Sequence, residues 1–210
     1  RTGMIRPPGY PGVAFTAASD GDVRGEPVDR ATASSLLGID DRWATVTQVH
    51  GSTVVRASAS GDRGSADAVF TTEKDLPVAV FTADCIGVAL IGAGAVGVAH
   101  AGWRGVAAGV VPALAEAMHG VGRPPRGAAI GPGIGPCCYE VGQEVIAEIP
   151  GSAATTTWNT ESVDLVQAIR RQLVGLPVWA SGECTLCGNG FHSHRRNSTP
   201  ERMATIAWIT

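Results

Sequence analysis

Apolar residues in this 210-residue chain fall in short runs separated by glycines and polar turns, and most runs have strand length. Trp43–Val49 ("WATVTQV") and Ser52–Ala57 are β-rich, and His50-Gly51 between them predicts a hairpin-like break. Val78–Thr82, Ile86–Ile91 and Ala95–Ala99 are three more such runs, punctuated by Asp84 and by Gly92-Ala93-Gly94. After "GWRG" the period changes. Val106, Val110, Leu114 and Met118 stand four apart, which predicts one helix from Val106 to Met118 with a kink at Pro112. Gly127–Ile130 reads as a strand ending in the turn-rich "GPGIGPCC". Tyr139–Ile149 and Val163–Val174 read as helices, the second N-capped by Ser162. Leu176–Ala180 and Met203–Ile209 read as closing strands. Short strands and hairpins with interspersed helices predict an α+β (mixed α/β) fold, with mixed β-sheets packed against helices in a single compact domain spanning 1–210.

Composition narrows this picture. Hydrophobic residues make up 44% of the chain and charged residues 17%, enough for a real core and against disorder. Lys plus Arg number 16 against 19 for Asp plus Glu, and the net charge of -3 argues against nucleic acid or an acidic membrane as the main partner. The longest apolar stretch, Val78 to Ala101, is broken by Thr82, Asp84 and several glycines, so no transmembrane segment is expected. "RTGMIRPPGY" has no signal-type apolar region. Five cysteines, an odd number in a chain large enough to fold without staples, point to a reduced, cytoplasmic setting. No long exposed heptad is present, and a monomer is expected.

The candidate chemistry lies in "FTADCIGVALIGAGAVGVAHAGWRG" (81–105), where Cys85 and His100 close short apolar runs. With a side-chain period of two, Val46, Gln48 and His50 share one strand face, and Val96, Val98 and His100 share another. Both histidines thus end strands, and Cys85 stands where one strand hands over to the next. Two imidazoles and a thiolate suit zinc and leave a fourth position for water or substrate, the arrangement of a catalytic rather than a structural ion. The residues alone leave the other reading open, with His50 a turn residue and Cys85 a small buried hydrophobe. Arg104, at a helix N-terminus, either holds phosphate or covers Trp103. Asp84 either orients a ligand or shuttles a proton, or simply ends a strand at a turn. The amide of Gln48 either reads a purine edge or is exposed. Cys137 and Cys138 are adjacent, too strained for a routine disulfide, and read as packing or pocket wall. Cys184 and Cys187, with His192 and His194 after them, resemble half a zinc ribbon without a second knuckle, a lesser candidate for a weak structural metal or a thiol pair. His119 is expected near a helix C-terminus.

Five segments in order, "TQVHG" (47–51), "ADAVFTT" (66–72), "TADC" (82–85), "AHAGWRG" (99–105) and "GPGIGPCCYEVG" (131–142), resemble the YfiH-type family. That family was first called multicopper polyphenol oxidase or laccase-domain proteins and later described as purine nucleoside phosphorylases. The resemblance implies that His50, Cys85 and His100 hold one zinc. It also implies that "FHSHRR" (191–196) lines the site, with Arg195 and Arg196 as anion contacts. The implied activity is phosphorolysis of purine nucleosides (adenosine, inosine, methylthioadenosine) to free base and ribose 1-phosphate, with adenosine deaminase activity beside it. Two segments depart from the pattern. Ala17, in "FTAASDGDVRG", stands where the family carries an arginine, so that either Arg24 substitutes for it or the substrate differs, and "NSTPER" replaces a Gly-rich ending. Two alternatives remain. One is a copper redox enzyme with Met118 or Met203 as axial ligand. Five histidines do not build the imidazole-rich cluster of a multicopper laccase. The other is a non-catalytic zinc-binding module, against which an open three-ligand site argues.

Overall fold

The computed structural model describes residues 3–210. One five-stranded sheet has the order β1 (Val13–Phe15), β13 (Met203–Ala207), β6 (Val78–Thr82), β2 (Ala44–Thr47), β4 (Gly61–Ser65). A six-stranded sheet has the order β12 (Val178–Ala180), β9 (Pro125–Ile130), β7 (Ile86–Gly92), β8 (Ala95–Ala101), β5 (Ala68–Thr71), β3 (Val54–Ala57). A separate hairpin joins β10 (Ala153–Thr155) to β11 (Glu161–Val163). Both large sheets are mixed: β2 pairs β6 and β4 in parallel and β13 pairs its neighbours antiparallel, while β7, β8 and β5 run antiparallel between parallel edge pairs. The helices are α1 (Pro27–Leu37), α2 (Trp103–Ala107), α3 (Val110–Gly120), α4 (Gln143–Glu148), α5 (Leu165–Gln172) and α6 (His194–Asn197). The fold is α+β, as the pattern predicts.

Strand alternation explains the layering. Val78 and Val80 of β6 face Val96 and Val98 of β8 in an inter-sheet core, whereas Ala79 and Phe81 of the same strand point outward to Ala33 and Leu37 of α1. The outer face of the six-stranded sheet, with Phe70, Val88 and Leu90, is covered by Val110, Leu114 and Met118 of α3 and by Leu165 and Ile169 of α5. The order of layers is helix, sheet, sheet, helix.

Several expectations require correction. Val46 and Val55 do not belong to one hairpin, because β2 and β3 lie in different sheets and His50-Gly51 is the crossing between them. The strand signal was local, whereas partner choice was set by which sheet could bury each side chain. The single helix over 106–118 is two helices, α2 and α3, divided at Gly109, whose φ of 76° lies in the left-handed region open to glycine. Pro112 is the third residue of α3, where an N–H has no intrahelical acceptor, so it helps start the helix instead of kinking it. Only Gln143–Glu148 of the segment 139–149 is helical. The N-cap of α5 is Asp164, which accepts from the Gln167 N–H at 2.9 Å, while Ser162 lies in β11 and donates to the Pro136 carbonyl. Among the described residues no helix is long and apolar enough to cross a membrane.

Candidate active site

The two sheets part at one end, and three loops meet there. After Thr47 the chain leaves β2, and Asp67, just ahead of β5, gathers the turn. Its carboxylate accepts the backbone N–H of Val49 (3.2 Å), His50 (2.9 Å) and Gly51 (2.6 Å). These bonds hold His50 at a φ of 62°, a conformation a non-glycine residue keeps only when its surroundings fix it. The second loop joins β6 to β7 and carries Asp84, at a φ of 91°, and then Cys85. His100 follows Val96 and Val98 along β8 and is 3% exposed. The third loop begins at Gly102, where an added Cβ would stand 2.9 Å from the Cys85 sulfur and 3.2 Å from the His50 ring, so only glycine lets the backbone pass.

One ligand atom from each of His50, Cys85 and His100 lies within 4.8 Å of the other two. The imidazole rings are 4.8 Å apart at 73°. Asp67 also receives the Nδ1 of His100 at 2.8 Å, which leaves Nε2 of that ring for the shared centre. Asp67 is fully buried. Burial works against its charge, but the bond from His100 and the backbone donors of Gly51 and His50 hold its carboxyl below the usual range. Burial likewise opposes a Cys85 thiolate, yet hydrogen bonds and positive charge from His100 and His50 bring it down to about 6. Burial would lower His100, but Asp67 and Cys85 raise it to about 9. The three groups thus favour a thiolate beside an imidazolium, and a divalent cation bound there would replace the imidazolium proton as the counter-charge. A borderline-soft donor set this close, on a buried carboxylate–histidine pair, fits a tetrahedral ion such as zinc with one position open.

The position opens on a cavity of about 600 Å³. Trp103, Tyr139 and Phe81 supply its aromatic wall, and Arg24, Arg195 and Arg202 its cationic one. The Tyr139 phenol is pushed up to about 12, by burial first and then by the nearby Cys85 charge, so it stays a hydrogen-bond donor. Ala17 is fully buried and outside this lining, whereas Arg24 is part of it and has no ion-pair partner among the described residues.

The other expected site residues are placed differently. Gln48 borders the cavity, but its amide is committed. It donates to the Phe81 carbonyl at 2.7 Å and accepts the Phe81 N–H at 2.8 Å, replacing ladder bonds where β2 diverges from β6. Asp84 also has both oxygens engaged, one by the Thr185 hydroxyl (2.6 Å) and one by the Arg195 N–H (2.6 Å), which makes it a loop organiser at the cavity wall. Arg104 lies outside the cavity. Its guanidinium stacks on Trp103 at 4.4 Å and borders a shallow neighbouring depression with Glu144 and Glu148. Arg196 faces away and donates to the carbonyls of Thr185, Leu186 and Gly188, so of the arginine pair only Arg195 reaches the cavity. His194 lines the cavity, and His192 pairs with Glu201 at 3.2 Å. Met118 is in the core under α3 and Met203 packs with Ala17 and Phe191, so neither offers an axial ligand. Cys184 and Cys187 meet Cys137 and Cys138, not a histidine pair. Asp67 and Tyr139 were missed as site residues. The signal for Asp67 was an acid inside the apolar run "ADAVF", a position that requires a buried partner.

Fold and site together define a class: a two-sheet α+β protein with a His-Cys-His cluster at the parting of its sheets. The family described as multi-copper polyphenol oxidoreductase laccase matches residues 18–210, and the chain belongs to that family. It is 39% identical to purine nucleoside phosphorylase ORF3 of Streptomyces griseus, over 86% of this chain and 80% of that protein. It is 37% identical to purine nucleoside phosphorylase SCO2081 of Streptomyces coelicolor, over 86% and 81%. The crystal structure of YlmD from Geobacillus stearothermophilus is similar with a TM-score of 0.87 at 28% identity, covering 100% of this chain and 97% of that one.

Proposed function

We propose that this protein is a zinc-dependent purine nucleoside phosphorylase whose metal is held by His50, Cys85 and His100. One observation carries the reading: the three-ligand cluster opens on a cavity that also holds an aromatic wall and arginine side chains. The names of relatives at 39% and 37% identity support it. The reaction forms a bond from a phosphate oxygen to the sugar C1′ and breaks the bond from C1′ to the purine nitrogen. The products are ribose 1-phosphate and a free base that takes up a proton. Arg24 and Arg195 attract the phosphate dianion, and Trp103 offers a stacking face for the purine. Tyr139, kept protonated, donates a hydrogen bond to the departing base. When bound, the ion supplies Lewis-acid chemistry at neutral pH, which also suits adenosine deamination as a second activity. The donor set supports zinc over a multicopper cluster, since of five histidines only His50, His100 and His194 are at the cavity.

The test incubates purified protein with adenosine, inosine or methylthioadenosine, with and without phosphate, and resolves products by chromatography. Phosphate-dependent base release that is lost in His50→Ala is the expected result. Metal bound at full stoichiometry with no base or inosine released from any of these nucleosides would refute the reading.

A further inference from the structure

Four of the five cysteines meet in a second group that shares no residue with the His50–Cys85–His100 cluster. Cys137 and Cys138 come from the loop after β9, and Cys184 and Cys187 from the loop between β12 and α6. All are free thiols, and one sulfur from each lies within 4.8 Å of every other. Backbone pairing brings the loops together: Gly133 bridges Cys184 in parallel, and the Thr185 N–H donates to the Gly133 carbonyl at 2.9 Å. Cys184 and Cys187 have the two-residue spacing of a metal knuckle, closed by the Gly188 N–H on the Cys184 carbonyl at 2.9 Å. The Gly135 N–H points at the Cys184 sulfur at 3.2 Å, the backbone donor that metal thiolates accept.

We propose that Cys137, Cys138, Cys184 and Cys187 form a four-thiolate zinc centre, separate from the His50–Cys85–His100 cluster. The Cys137 and Cys187 sulfurs are 3.8 Å apart. A disulfide needs about 2.05 Å, whereas the edge of a zinc–thiolate tetrahedron with bonds of about 2.3 Å is about 3.8 Å. Four thiols converging from two loops gain little from one another, being weak hydrogen-bond partners. With a divalent cation between them they become a cross-link of two loops separated by some fifty residues of chain. The centre is structural, because all four positions are filled by protein. Its effect reaches the cavity through Thr185, next in chain to Cys184, whose hydroxyl holds Asp84 beside Cys85. Arg196 reinforces the same loop by binding its carbonyls.

The inference stands whether or not the protein cleaves nucleosides, and metal counting separates the two. Protein purified under mild reduction is measured by elemental analysis as wild type, His50→Ala and the double variant Cys184→Ser/Cys187→Ser. Zinc lost with the cysteine pair but retained in His50→Ala supports the centre, and a wild-type value of two per chain fits both sites. Because the double variant can fail to fold, cobalt is also exchanged into folded His50→Ala. An intense sulfur-to-cobalt charge-transfer spectrum of tetrahedral type is expected. Absence of both that spectrum and zinc in folded His50→Ala would overturn the proposal. A disulfide among the four cysteines found by mass spectrometry in metal-free, mildly reduced protein would also overturn it, and iron in place of zinc would overturn the choice of ion.

Discussion

Asp67→Asn is the substitution that tests the site most directly, because the two side chains have the same shape and differ in what their atoms can accept. One Asp67 oxygen receives His100 Nδ1 (2.8 Å) and the His50 N–H (2.9 Å), and the other receives the N–H of Gly51 (2.6 Å) and Val49 (3.2 Å). An asparagine offers one oxygen and one NH2, so whichever way it turns, a donor faces donors in a fully buried position. Leaving buried donors unpaired costs about 1–3 kcal/mol, and for a domain of this size about 2–4 °C of Tm per kcal/mol. A loss of roughly 4–8 °C in the metal-free protein follows from the middle of that range. His100 also loses the anion that orients its ring, and comparable changes behind a ligating histidine weaken metal binding by about 10–100-fold, or about 1.4–2.8 kcal/mol. Zinc affinity is read by competition with a chromophoric chelator, and Tm by calorimetry after removal of metal. A folded Asp67→Asn protein with zinc affinity within about twofold of wild type would refute the role assigned to Asp67.

Three further outcomes follow from the same geometry. In the metal-free protein, the contribution of Cys85, lowered from 9.0 to about 6, is lost as pH falls through 6, and that of His100, raised from 6.5 to about 9, is lost as pH rises through 9. Between 6.5 and 9 the folded thiolate–imidazolium pair and the unfolded thiol–imidazole pair bind equal numbers of protons, so this contribution is flat there. Zinc binding to this site at pH 7.5, measured calorimetrically in buffers of different ionisation enthalpy with the four-cysteine centre already filled, then releases one proton, from His100, and release of two would contradict the pairing. Arg24→Ala raises the KM for phosphate by about 10–100-fold, the worth of a charge-assisted hydrogen bond, while Arg104→Ala changes it less than about threefold. Equal effects of the two would place the anion elsewhere. Leu114→Ala, fully buried between α3 and the six-stranded sheet, lowers unfolding free energy by about 2–5 kcal/mol in denaturant titration, and a change under about 1 kcal/mol would show that core to be loosely packed.

The sequence by itself marked His50, Cys85 and His100 as a donor set and eight of the thirteen strands, leaving β1, β4, β5, β10 and β11 unread. Alternation put Val78 and Val80 on one face of β6 and Val96 and Val98 on one face of β8, because a pleated strand presents its side chains in turn whatever sheet it joins. The donor chemistry of His50, Cys85 and His100, and the net charge, are properties of the residues themselves. Partnership was decided only by tertiary structure. Nothing local distinguishes β2 and β3 as members of different sheets, and the hairpin expected at His50 is a crossing from one sheet to the other, with Val46 and Ala57 meeting in the core between them. Gln48 and Asp84 had the right chemistry to meet a substrate, but long-range hydrogen bonds to Phe81, Thr185 and Arg195 use it. Arg24 and Arg104 are both exposed arginines in the sequence, and only the fold turns one toward the cavity and stacks the other on Trp103. The meeting of Cys137 and Cys138 with Cys184 and Cys187 is likewise a tertiary fact, since Cys137 and Cys187 are 50 positions apart in the chain and the four sulfurs lie within 4.8 Å.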